Sequence, residues 1–275
     1  MLDPTATTAL GTLAGRALDA RGSRVLGDDA AARVVAALDP ELRQVALRGL
    51  GVDPDLAISI AVRARLIDQR VQEFLTATPE AVVIHAGCGL DTRYERLAPP
   101  ASVTWYEVDR APIMELRRRV LGGPGESHRE VCGSISDPAT LDQIPAGRPT
   151  LFVAEGLTMY LTPELGAATL ARVVDRFGRR GGAGGRIVLD VTSRLGIRLQ
   201  RATAIPSRAG ARLRWGIDDP AALEALGMRL IDDIQADAML RVASPYLGPR
   251  RVALHARAAR LGPISRMGRI LSYEF

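Results

Sequence analysis

The sequence predicts an α/β fold: a doubly wound, mostly parallel seven-stranded sheet with a helical N-terminal cap and a lid insertion. Three observations carry that expectation. Short apolar runs rich in β-branched residues recur along the chain, and segments of helical period separate them. The first such run, Ala81-Val82-Val83-Ile84-His85-Ala86, passes straight into Gly87 and Gly89, two glycines spaced by one residue, and then into a polar segment. A strand, a tight turn and a helix start in that order form the unit from which such sheets are wound.

Residues 5–38 are Ala-rich and helical in period, interrupted at Gly22 and restarted at Asp28-Asp29, where an aspartate suits a helix N-cap. They lie well ahead of the first strand and are expected to cover the site rather than join the sheet. Residues 56–75 form a long amphipathic helix, with Ile60, Leu66, Ile67, Val71 and Phe74 among its apolar positions and Arg63, Arg65, Asp68 and Arg70 among its polar ones. After the glycine turn come a second strand at 103–109 with a helix at 111–121, a weaker third strand at 129–132, and a fourth at 150–154. The helix after the fourth strand opens near Pro163-Glu164, proline being favoured in a first turn. The fifth strand is 186–191. An Arg-rich, irregular or helical stretch follows from 193 to 215, then a short helix at 220–226, a sixth strand at 229–234, a helix at 250–261 and a seventh strand at 269–275. With no internal repeat or low-complexity linker, the expected organisation is one domain over 1–275: cap 1–55, core 56–192, lid or acceptor region 193–217, and C-terminal strands and helix 218–275.

Composition narrows the partners. A hydrophobic content of 47% over 275 residues is enough for a sizeable core. No apolar run approaches the ~18 residues a bilayer-spanning helix needs, and the N-terminus lacks the basic-then-apolar pattern of a signal peptide. The expected location is cytoplasmic, with no membrane partner. The charge of +5 comes from arginines that alternate with Ala, Leu and Val, while aromatics make up only 4%. That pattern describes solvated helix faces, and no nucleic-acid partner is expected. Cys88 and Cys132, placed at strand ends, are not expected to pair in a reducing compartment. His85, His128 and His255 are far apart in sequence, so no metal site is expected.

Glycine tolerates φ > 0 and lets backbone approach a ligand closely, so the turn at Gly87 and Gly89 is where a nucleotide-like ligand is sought. Asp109 closes the second strand 20 residues after Gly89, where an acid in such a sheet accepts ribose hydroxyls. Its alternative role is N-cap of the next helix. The third glycine of the dinucleotide fingerprint is missing near Tyr94, which favours a nucleoside without phosphates over a dinucleotide.

The run His85-Ala86-Gly87-Cys88-Gly89-Leu90-Asp91-Thr92-Arg93, followed by Tyr106-Glu107-Val108-Asp109 and Ala154-Glu155-Gly156-Leu157-Thr158-Met159-Tyr160-Leu161, resembles the leucine carboxyl methyltransferase family. It is most similar to the bacterial, tetracenomycin carboxyl O-methyltransferase-like branch. Residues 12–17, 28–32 and 62–68 extend the resemblance over most of the chain. It implies a Rossmann-like methyltransferase sheet that binds S-adenosyl-L-methionine. Within it, Arg63 corresponds to the arginine that grips the methionine carboxylate, and a guanidinium fork suits that geometry. Gly87 lies against the methionine part, Gly89 belongs to the same cofactor-binding turn, Asp109 takes the ribose, and Glu155 faces the amino end. Ser134 stands where the family has an acid for the adenine amino group, and Ile135 packs on the ring. Asp91 and Arg93 are expected to hold the loop by an ion pair, and Asp137 to cap the helix at Pro138.

The resemblance further implies O-methylation of a small-molecule acceptor, a carboxylate or a hydroxyl. A carboxylate is already ionised at pH 7 and needs no base. A hydroxyl needs one, and Tyr160, His128 and His255 are the candidates. Tyr160, just past the fourth strand, is expected to position the acceptor. Arg16, Arg194, Arg198 and Arg201 could offer cations to an acidic acceptor. A lyase or cyclase acting on the cofactor itself, and a non-catalytic scaffold retaining the fold, are the competing readings.

Overall fold

The computed structural model describes residues 2–200 and 204–275. Seven strands form one sheet in the order β3-β2-β1-β4-β5-β7-β6. These are β1 (Val82–Ala86), β2 (Thr104–Asp109), β3 (His128–Cys132), β4 (Thr150–Ala154), β5 (Gly185–Thr192), β6 (Arg229–Ile234) and β7 (Gly268–Glu274). The first five run parallel, and β7 is antiparallel to both β5 and β6. The chain winds outward from β1 to β3, then returns to β4 on the other side of β1. The carboxyl ends of β1 and β4 therefore diverge into opposite connections, and a crevice opens there.

Helices α1 (Pro4–Arg21), α2 (Asp29–Ala37) and α3 (Pro40–Gln44) precede the sheet, and α4 (Pro54–Ala77) leads into it. Aspartates start all four: Asp3, Asp28, Asp39 and Asp53 each accept a backbone N–H of the first turn. Pro54 fills the first position of α4, so this helix begins two residues before the apolar period becomes visible. Further on lie α5 (Arg93–Leu97), α6 (Ala111–Leu121), α7 (Pro138–Asp142) and α8 (Pro163–Val174). Among the described residues, the stretch after β5 holds the short helices α9 (Arg194–Arg198) and α10 (Ala204–Ala209), and α11 (Ala236–Ala243), α12 (Pro249–Ala259) and α13 (Gly262–Ser265) fill the connection between β6 and β7.

Strand alternation sorts side chains to two faces. Val82, Ile84 and Ala86 pack with Leu141, Leu170 and Val173 in one core, while Val83 packs with Ala61, Ile67 and Val71 of α4 in the other. A third cluster joins Leu10 and Leu13 of α1, Val34 and Val35 of α2, and Ile113 and Met114 of α6. The N-terminal helices thus sit over the crevice end of the sheet as a cap with its own apolar core. Both cysteines are free; Cys132 ends β3 and is exposed, but Cys88 lies in the buried turn after β1 rather than in the strand. No helix among the described residues is long and apolar enough to cross a membrane.

Candidate functional site

At the crevice, β1 ends at Ala86 and the chain turns through Gly87 (φ +61°) and Gly89 (φ +55°), values that strain any residue with a Cβ. A Cβ on Gly87 would stand 2.9 Å from Leu157 Cδ1, so the leucine side chain would have to shift, but it is the positive φ that demands glycine. Asp109 braces this turn from the end of β2. Its Oδ2 accepts the Gly89 N–H and its Oδ1 the Arg110 N–H, both at 2.8 Å. Arg110, not Asp109, is the N-cap of α6. A carboxylate offers about four lone-pair sites, so both oxygens keep acceptor capacity. Burial pushes the Asp109 pKa up.

A cavity of about 920 Å³ opens here. All eight residues expected from the sequence line it: Arg63, Gly87, Gly89, Asp109, Ser134, Ile135, Glu155 and Tyr160. Ser134 is exposed and Ile135 is buried beside it. Tyr160 ends a short turn after β4, with its phenol in hydrogen-bonding contact with the Thr8 side chain of α1. Burial raises the Tyr160 pKa, which keeps the phenol protonated at neutral pH.

Below the cavity lies a buried ionic network. Glu155, at the end of β4, accepts from three guanidiniums: Arg16 at 3.0 Å, Arg63 at 3.1 Å and Arg93 at 2.5 Å. Arg63 also reaches Asp190 of β5 at 3.1 Å, and Arg16 reaches Asp91 at 2.8 Å. Arg93 binds Asp68 at 2.7 Å and Asp91 at 3.1 Å, so the expected loop ion pair is present within a larger array. Arg96 adds bonds to Asp28, Asp68 and Asp91. Such charges tolerate burial only because each has an ion-pair partner and further hydrogen bonds or ion pairs beside it.

The network sets protonation states. Burial alone pushes the Glu155 carboxyl up, but Arg16, Arg63 and Arg93 outweigh it and hold the pKa down to about 2. Asp91 is likewise held well below the usual carboxylate range by Arg16, Arg93 and Arg96, against the cost of its burial. Burial, with Arg93 beside it, lowers His85 to about 3. An arginine only donates, so His85 Nε2 accepts from Arg93 Nη1 at 3.1 Å and the proton of the neutral ring resides on Nδ1.

These shifts fix a pH dependence. The unfolded chain protonates His85 below about 6.5 while the folded chain does not until about 3, so stability falls as pH drops through that interval. Glu155 contributes stability that is fully present above 4.5 and is lost as pH falls through about 2. The urea midpoint is therefore expected to decline from pH 6.5 to pH 2; a midpoint level down to pH 3 would contradict both assignments.

Several expectations about the acceptor side are corrected. Arg16 is buried and gives both terminal nitrogens to Asp91 and Glu155 instead of offering a free cation at the rim. Arg194 and Arg198 are exposed and do not line the cavity; Arg194 faces Asp218 at 3.7 Å. Arg201 lies outside the described residues. His128 is away from the cavity, stacked on Tyr94 with ring centroids 3.9 Å apart and 3.1 Å from Glu107. His255 does line the cavity, at its exposed end.

Sequence reading missed Asp190, which accepts the Gly156 N–H at 2.6 Å as well as binding Arg63. An acid inside the apolar run Ile187-Val188-Leu189-Asp190-Val191 was the available signal. It also missed Asp28, Asp68 and Arg96 as network members, because each reads locally as a cap or a solvated helix position.

The lining fits a ligand with a carboxylate beside a cationic centre. Arg63 Nη2 makes no hydrogen bond to a described residue, and the Arg63 side chain is partly exposed on the cavity wall, which leaves a guanidinium donor for an anionic group. Glu155, Asp190 and Asp109 supply negative charge around the same space.

Comparison with known proteins agrees with this chemistry. The profile of the leucine carboxyl methyltransferase family matches residues 9–174. The tetracenomycin polyketide synthesis O-methyltransferase TcmP of Streptomyces glaucescens is 35% identical over 219 residues, 79% of this chain and 77% of that protein. The S-adenosyl-L-methionine-dependent methyltransferase dpfgK of Gibberella zeae is 32% identical over 231 residues, 79% of this chain and 76% of its own. Among solved structures, a candidate methyltransferase from Thermobifida fusca shares the fold, with a TM-score of 0.56, 19% identity, and 94% and 93% of the two chains covered.

Proposed function

The chain belongs to the leucine carboxyl methyltransferase family and is an S-adenosyl-L-methionine-dependent methyltransferase; from that premise we propose that it transfers the methyl group to an oxygen of a small-molecule acceptor, a carboxylate oxygen first of all. The observation that carries the proposal is the convergence on one cavity of Arg63, Gly87, Gly89, Asp109, Ser134, Ile135 and Glu155. In this reading the free donor of Arg63 holds the methionine carboxylate, Glu155 faces its amino group, and Asp109 takes the ribose. Ser134 and Ile135 receive the adenine. The bound cofactor supplies an electrophilic methyl carbon on a sulfonium.

The protein's part is to orient the acceptor against that carbon and to keep water away, which is where most of the rate of an in-line displacement originates. Tyr160, on the cavity wall between the glycine turn and α1, positions the acceptor. A carboxylate acceptor is favoured by the state of the lining groups. His85 is neutral with Nε2 committed to Arg93, Glu155 is held ionised among three arginines, and the Tyr160 phenol stays protonated, so none of these three is poised to take a proton. Asp109 and Asp190, inner carboxylates whose pKa values burial raises, both already accept backbone N–H groups. At the outer end, Arg251 is exposed and retains donors beyond the one it gives to Asp55, so an anionic acceptor meets it on entry. The relative TcmP is an O-methyltransferase by name, which supports oxygen as the site of transfer.

The test is to incubate the protein with S-adenosyl-L-methionine and a panel of paired aromatic and aliphatic carboxylic acids, phenols and amines. S-adenosylhomocysteine and a methyl ester are expected with the acids, at a rate independent of pH between about 6 and 9 because the nucleophile is already ionised. A rate that rises with pH and disappears in His255→Ala would point to a hydroxyl acceptor. Methylthioadenosine formed without any acceptor would replace methyl transfer by lyase chemistry.

A further inference from the structure

Between Asp237 and Glu274 the chain carries seven arginines and no acidic residue. This run contains α11, α12 and α13 and borders the outer end of the cavity, which Met239, Arg251 and His255 line. Helix α12 has three distinct sides. Val252, Ala256 and Ala259 face inward, yet none of its residues is fully buried. Arg251 and His255 turn toward the cavity mouth. Arg250, Leu254 and Arg257, spaced at 4 and 3 residues, form one outward stripe, and Leu261 follows in the link to α13. Leu254 is 66% and Leu261 56% exposed, and Ile264 of α13 extends the apolar line at 38%.

The charges on this stripe are free as well as numerous. Arg241 is paired with Asp237, Arg251 with Asp55 and Arg269 with Asp233, but Arg250, Arg257 and Arg260 make no ion pair to a described residue. Exposed leucines alternating with unpaired guanidiniums on a helix that contributes little to the core describe an interfacial helix, with arginines for phosphate oxygens and leucines for the acyl boundary. A nucleic-acid surface would interleave aromatics, and between 247 and 272 there are none.

We propose that the outer face of α12 and α13 docks on an anionic phospholipid surface, which places the cavity mouth at the lipid boundary. No spanning segment is required for such contact, so the absence of a long apolar run, which led the sequence reading to expect no membrane partner, does not bear on it. The docking stands independently of the proposed reaction, since the stripe residues lie outside the cavity lining.

The experiment is cosedimentation of the full chain with vesicles of phosphatidylcholine alone and of equimolar phosphatidylcholine and phosphatidylglycerol. Binding is expected only to the anionic vesicles and is expected to weaken with added salt. Arg250→Gln with Arg257→Gln should lower the affinity by about 30-fold, and Leu254→Ser with Leu261→Ser by about tenfold or more. Both double variants should bind S-adenosylhomocysteine as the parent does in calorimetry, which separates failure of docking from failure of the cofactor site. Absence of binding to anionic vesicles, or binding that neither double variant changes, overturns the proposal. So do affinity for an acidic polypeptide such as polyglutamate without affinity for vesicles, and a dimer in light scattering that the leucine double variant dissociates.

Discussion

Replacing Arg93 by methionine is expected to destabilise the fold by about 3–5 kcal/mol, the scale of breaking a buried ion pair from one side. The side chain is 0% exposed and serves Asp68, Asp91 and Glu155 together with His85. Methionine fills much the same volume, so the loss isolates the charge rather than the packing. It would leave three largely buried carboxylates short of a partner. Chemical denaturation measures the effect; a loss below about 1 kcal/mol, the level of an exposed pair, would show that the remaining arginines cover for Arg93. Pairing Arg93→Met with Asp68→Asn should then cost less than the sum of the two single changes, as expected for groups in direct contact.

The second large effect is on the cofactor. Asp109→Ala is expected to weaken S-adenosylhomocysteine about 10- to 150-fold, the equivalent of one or two charge-assisted hydrogen bonds. The same carboxylate holds the backbone N–H groups of Gly89 and Arg110, so alanine also loosens the turn. Asp109→Asn keeps one oxygen acceptor and should fall between alanine and the parent. Calorimetric titration reads both variants. Affinity equal to the parent's in Asp109→Ala would take this residue out of the cofactor site and leave it a purely structural brace.

What could be read from residues alone was whatever depends on neighbours in sequence. Strands β1, β2 and β4 are β-branched or aromatic runs bounded by turns, and their limits emerge within a residue or so. The N-caps Asp28 and Asp137 are likewise local, each accepting a backbone N–H within three residues. The glycine turn and Asp109 could be found because a parallel sheet places them a fixed distance apart along the chain. The insertion of β7 between β5 and β6 could not, since alternation marks a strand without naming its partners. Arg16 was misassigned for the same reason: its partner Glu155 is 139 residues away, and on α1 an arginine among alanines looks like any solvated position. Asp190 was hidden because the apolar run around it marks a strand whether or not the acid within it has a partner.

The ionic network has one consequence for how this scaffold can change. Asp28 and Arg16 belong to the cap, Arg63 and Asp68 to α4, Asp91, Arg93 and Arg96 to the turn and its helix, and Glu155 and Asp190 to the sheet. The cap is therefore not an exchangeable module resting on a neutral apolar seam. A cap transplanted from a relative to alter acceptor choice must bring an arginine and an aspartate at the positions of Arg16 and Asp28, or the recipient's own turn is left with unbalanced charge. Diversification is freer on the side walls, at α10 and α12, where the cavity is bounded by residues that take no part in the network.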